Sequence, residues 1–140
     1  METCGWFKIQ SIRRLDQRFG AALYGVQSTY GESEHPNDRY PDKYSPSLRI
    51  KWEKTSNSFV FCSKAVPVVI FNDDHKPDVL NFSEIAGFQE FEANFYMRVC
   101  HGAPAYMWDN ASAMRKYGYR SPSTDNVSIR SPEDLFRYVK

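Results

Sequence analysis

The sequence predicts an α+β fold: a three- to four-stranded antiparallel meander packed against an N-terminal amphipathic helix and a central aromatic-rich helix, with short C-terminal helices. Three observations carry this expectation. Between Leu48 and Phe71, short runs of alternating or continuous apolar residues follow one another at strand length. Ser83 to Gly102, SEIAGFQEFEANFYMRVCHG, shows helical spacing between a start and a stop signal. Residues 9–26 repeat apolar positions every three or four residues. Helix, then strands, then helices is an α+β order.

At 140 residues the chain has the size of one domain, 1–140; 41% apolar and 25% charged content suit a chain with a buried core. The aromatic share of 16% assigns much of that core to rings. The net charge of +1 selects no partner, but the charges are unevenly spread. Residues 1–64 hold ten Lys and Arg against seven Asp and Glu, residues 65–112 two against seven, and residues 113–140 six against three. Such a chain can fold with a basic face and an acidic face.

Cys4, Cys62 and Cys100 are odd in number and form no CxxC pair, so reduced thiols and a cytoplasmic setting are expected. METCGWFKIQSIRRLD has no apolar signal core and no run approaches membrane-spanning length, so no membrane partner is expected. Asn81-Phe-Ser83, Asn110-Ala-Ser112 and Asn126-Val-Ser128 match the glycosylation acceptor triplet. In an intracellular chain they are chance matches.

Taken in order, Ile9, Ile12, Leu15, Phe19, Leu23 and Val26 form one apolar stripe with Arg14 and Arg18 opposite, which predicts a helix of about five turns. Gln27 to Ser47 is polar and punctuated by Pro36, Pro41 and Pro46, which predicts a long loop. Leu48–Lys54 alternates as a half-buried strand, Ser56-Asn57 turns, and Ser58–Ser63 returns as its hairpin partner. Val66–Phe71 is apolar on both faces, a central strand, and Val79–Phe82 adds a short fourth.

The central helix places Ile85, Phe88, Phe91, Phe95, Tyr96 and Val99 within roughly 140° of arc. Glu92 projects from the middle of that stripe. Trp108–Tyr117 reads as a short helix capped by Asp109 or Asn110 and stopped by Gly118. Val127–Ile129 suits a short edge strand. Ser131-Pro-Glu-Asp opens a terminal helix, with Leu135, Phe136 and Val139 to dock it.

Candidates for chemistry are few. His101 ends the central helix, where the dipole favours its protonated form, and Glu92 or Asp109 could serve as its acid partner in a small hydrolase or transferase. Asp73, Asp74 and His75 offer oxygen and nitrogen ligands, but no HxH, HExxH or DxDxDG spacing accompanies them, so no metal is expected. No Gly-rich phosphate cradle occurs, and no cofactor is expected. The strongest hint is basic and aromatic residues interleaved at Arg39, Tyr40, Lys43, Tyr44, Arg49 and Lys51, with Trp52 alongside. These residues suit recognition of a macromolecule. The expected function is therefore a non-enzymatic accessory or inhibitor protein with a protein partner; nucleic acid is the alternative partner and the His101 enzyme the alternative activity.

Overall fold

The two longest elements of the computed structural model, which describes residues 2–35, 45–71, 76–122 and 126–139, are strands where the apolar spacing predicts a helix. β1 (Glu2–Arg18) and β2 (Ala21–His35) pair antiparallel over almost their whole lengths. The pairing register slips at Gln10 and again at Leu15. Each such bulge inserts one residue into a two-residue period, so Ile9 and Ile12 share a face although they are three apart. A bulged strand thereby imitates helical spacing. Leu23 and Val26, placed on one stripe by a helix, lie in separate cores on opposite faces of the sheet.

Arg18 pairs with Ala21, so Phe19 and Gly20 form a two-residue turn, both at positive φ (54° and 76°). Positive φ at both positions is what a type I′ hairpin requires. For a residue with a Cβ, that backbone costs about 1–2 kcal/mol. Phe19 is 59% exposed, so burial offsets little of the cost. Phe19→Asn is expected to stabilise the protein by about 1 kcal/mol, read as a higher urea midpoint at unchanged slope.

β3 (Lys51–Cys62) runs straight through Ser56-Asn57, where a hairpin turn is predicted. β2 is long enough to pair with all of it, setting Ser28 opposite Ser56 and Gln27 opposite Asn57. The predicted loop 27–47 is thus half strand: residues 27–35 belong to β2, and 36–44 lie outside the described residues. β4 (Val68–Phe71) and β5 (Asp78–Val79) complete a meander in the order β1-β2-β3-β4-β5, five strands rather than three or four.

The helices follow the strands, so the predicted packing of the sheet against an N-terminal helix does not occur. A 3-10 turn at Gly87–Gln89 leads into α1 (Glu90–His101), which starts later than the Ser83 signal implies. Phe88 precedes α1 and is 83% exposed, outside the buried stripe. Gly102 ends α1 in the left-handed region at φ 62°, as the Gly-x-Pro signal predicts. α2 (Ala111–Tyr117) is capped by Asn110, whose Oδ1 accepts from the Ala113 N–H at 3.1 Å, and is stopped by Gly118. Val127–Ile129 is not a strand. Pro132–Tyr138 is a 3-10 segment whose start is held by Asp134, accepting from the N–H groups of Arg130 (2.9 Å) and Ser131 (3.3 Å).

The sheet separates two cores. On one face Val26, Val60 and Val69 meet Phe95, Tyr96 and Met97 of α1 and Met114 of α2. On the other, Leu23, Phe61, Val68 and Ile70 are covered by Leu135 and Phe136. Cys62, the last residue of β3, forms a disulfide with Cys100 near the end of α1, correcting the expectation of reduced thiols. The bond joins residues 38 apart in sequence, brought together by the docking of α1, and no local spacing reveals it. The cytoplasmic expectation rested on reduced cysteines and loses that support. Cys4 is a free thiol. Among the described residues no helix is long and apolar enough to cross a membrane.

Candidate functional site

Residues opposed across antiparallel strands share a face, so the register assembles four rows on the side that carries Leu23 and Phe61. They are Arg13–Gly25–Phe59, Ser11–Gln27–Asn57, Lys8–Thr29–Thr55 and Trp6–Gly31–Trp52. The C-terminal segment covers the Leu23 end of this face. Beyond it Lys8, Ser11, Arg13, Gln27 and Asn57 are exposed. A groove of about 430 Å³ runs here between Arg13, Leu15, Gln27, Asn57 and Phe59. Gly25 makes its floor: a Cβ there would sit 3.5 Å from Leu15 Cδ1, so the leucine lies over the bare backbone. The four rows contain two cations, amides and hydroxyls, and no carboxylate.

Trp52 is fixed rather than displayed. A Cβ on Gly31 would come within 2.7 Å of its Cε3 and 2.6 Å of Ile50 Cγ2, so only glycine lets the indole lie on the strand. Lys8 Nζ stands 4.1 Å from the ring centroid. The Gly31 backbone and the Lys8 side chain therefore crowd the indole. Beside it the Trp6 N–H donates to Ser33 Oγ at 2.7 Å, and Ser33 Oγ lies 2.6 Å from His35 Nε2. This serine–histidine pair was not among the candidates read from the sequence. Two residues apart on a strand, Ser33 and His35 face the same way, but residues 27–35 read as loop. Ser33 and His35 are 2% and 9% exposed, which keeps substrates from the hydroxyl.

The residues singled out from the sequence are scattered. Arg49 and Lys51 are exposed near the start of β3, and Lys51 pairs opposite Glu32, on the face away from Trp52. Arg39, Tyr40, Lys43 and Tyr44, and likewise Asp73, Asp74 and His75, lie outside the described residues. Among the described residues no group of three or more His, Cys, Asp or Glu is placed to hold a metal ion. His101 and Glu92 stand at opposite ends of α1, about 13 Å apart along its axis at 1.5 Å per residue. Asp109 is an exposed residue of the 3-10 turn Met107–Asp109.

What His101 meets instead is Tyr119. Its Nε2 lies 2.6 Å from the Tyr119 hydroxyl, which donates to Tyr96 (2.9 Å), and Tyr96 donates to the Ser63 carbonyl (3.2 Å). With the Tyr119 proton directed to Tyr96, His101 is the donor at the head of the chain. The imidazole also stacks on Tyr117 at 4.1 Å, and Lys64 Nζ sits 4.5 Å from the Tyr119 ring centroid. Burial, and then the Lys64 charge, hold the His101 pKa below its ordinary value. Burial pushes the Tyr119 and Tyr96 hydroxyls well up. The Cys62–Cys100 bond staples this corner next to Ser63, Lys64 and His101. The chain ends on a backbone carbonyl in the core, which makes it a structural lock.

Glu92 is drawn inward, as its place on the stripe implies, and the β1 arginines that could have paired with it are engaged or placed elsewhere. Arg13 lies on the other face of the sheet, and Arg18 bonds Asp16 at 2.9 Å. Glu92 Oε2 is buried and has no hydrogen-bond partner among the described residues. Burial raises its pKa, its own backbone amide opposes the rise, and the Asp78 carboxylate adds to it. A carboxyl raised in the folded state contributes most below its ordinary value of 4.5 and loses that contribution as pH climbs through the folded value. Glu92→Gln is therefore expected to stabilise the protein by on the order of 1 kcal/mol at neutral pH. The gain should vanish below the ordinary value, as read from urea melts across the pH range.

No protein-family model, curated protein or solved structure matches this chain.

Proposed function

We propose that the protein binds an acidic segment of a partner protein along the uncovered half of the sheet, as an accessory or inhibitor rather than an enzyme. The observation that carries this reading is the groove between Arg13 and Asn57, lined by one cation and neutral hydrogen-bonding groups, with Lys8 further along the same face and no carboxylate in the four rows. A guanidinium can grip a carboxylate through two parallel N–H donors. The Gln27 and Asn57 amides and the Ser11 hydroxyl serve neighbouring polar groups, while Leu15 and Phe59 supply apolar contact. Single-stranded nucleic acid is held by rings that bases can stack on. Trp52 is packed against the Gly31 strand with Lys8 over its ring, so it is less free to stack on a base, which favours protein as the partner. The His101 enzyme has less support, because Nε2 is engaged by Tyr119 and Glu92 lies at the far end of α1.

Titration with a fluorescent peptide alternating Glu and Leu, beside an oligothymidylate of equal charge, tests the proposal. Peptide binding is expected, with a loss of roughly tenfold or more for Lys8→Glu/Arg13→Glu. Binding of the oligonucleotide alone, falling linearly with log salt, would give the site to nucleic acid instead.

A further inference from the structure

We propose that Asn110 and Asn126 are N-glycosylation sites and that the chain matures in an oxidising, glycan-transferring compartment. This goes beyond the binding reading and does not depend on it. Asn110-Ala-Ser112 and Asn126-Val-Ser128 satisfy the acceptor triplet, with no proline at the middle position. Triplets alone are weak, since a serine-rich chain produces them by chance. The independent observation is the Cys62–Cys100 disulfide. Such bonds form and persist in the secretory pathway, where N-glycans are also attached, and are rare in the cytosol.

The folded positions separate the three triplets. Asn110, Ser112, Asn126 and Ser128 are all exposed. Asn81 is half-buried, between fully buried Leu80 and half-buried Phe82, whose ring packs against Tyr96 (5.3 Å) and Tyr119 (4.8 Å). An oligosaccharide at Asn81 would sit beside that core.

Asn110 also has a use for only half of its amide. Oδ1 caps α2 by accepting from the Ala113 N–H at 3.1 Å. In the transfer, Nδ2 attacks C1 of an oligosaccharide carried on a polyprenyl pyrophosphate. The N–C1 bond forms, the C1–O bond to the pyrophosphate breaks, the lipid pyrophosphate leaves and one amide proton is released. Oδ1 is unchanged, so the helix keeps its cap. α2 packs on the α1 side of the sheet through Met114, which places a glycan at Asn110 across the sheet from the groove. Val127, beside Asn126, belongs to the core under the C-terminal segment.

The test uses the chain purified from its own source. Thiols are alkylated before reduction, and peptides are treated with peptide N-glycosidase F in heavy-oxygen water, which converts each glycosylated Asn to labelled Asp. Labelled Asp at positions 110 and 126 is expected, with position 81 unlabelled. Cys62 and Cys100 should resist alkylation until reduced, while Cys4 reacts. Absence of label at both 110 and 126, label at 81, or alkylation of Cys62 and Cys100 without reductant would overturn the proposal.

Discussion

Reduction of the Cys62–Cys100 bond, or Cys62→Ser/Cys100→Ser, lowers stability by about 3–4 kcal/mol. The bond closes a loop with a sequence separation of 38 residues, and restricting such a loop in the unfolded chain is worth on the order of 4 kcal/mol. In the folded protein the bond holds the end of β3 against α1 beside the His101–Tyr119–Tyr96 chain. Urea melts with and without reductant measure the difference, and the slope should rise in the reduced protein as its unfolded state expands. The Cys4→Ser variant controls for the free thiol and should not move the midpoint.

Phe95→Ala has a larger effect, a loss of about 3–5 kcal/mol. Phe95 is fully buried, and its ring meets Phe7 of β1 at 5.1 Å, Phe71 of β4 at 5.3 Å and Tyr30 of β2 at 6.1 Å. One side chain thus fastens α1 across three strands, and removing it leaves a cavity that none of the three neighbouring rings can fill without moving. Phe88→Ala, four-fifths exposed by comparison, should cost only a few tenths of a kcal/mol. A melt in which the two variants behave alike would mean that α1 is rotated from the orientation described.

The contrast between these two phenylalanines marks how far the sequence could be read. Both lie on the helical stripe, but Phe88 precedes the helix, and helix starts without a side-chain cap leave little trace. Left-handed glycines leave a strong one, so Gly102 and Gly118 end α1 and α2 as expected. So does Asn110 at the head of α2. The first two strands were hidden because bulges at Gln10 and Leu15 break the two-residue period into threes. The misreading of β2 then concealed both the groove and the Ser33–His35 pair, since neither exists until residues 27–35 are set opposite β1 and β3. The disulfide was hidden for another reason: it depends on tertiary docking, and cysteine spacing carries no record of that. Glu92 was legible as an inward-facing charge; that its Oε2 has no hydrogen-bond partner among the described residues was not.

The most direct test of the proposed binding surface is a map of backbone amide shifts on adding the alternating Glu-Leu peptide. Perturbations are expected to concentrate at Ser11, Arg13, Gln27 and Asn57, with α1 and the His101 corner unchanged. Perturbations centred on His101, Lys64 and Tyr119, with the groove amides silent, would contradict it.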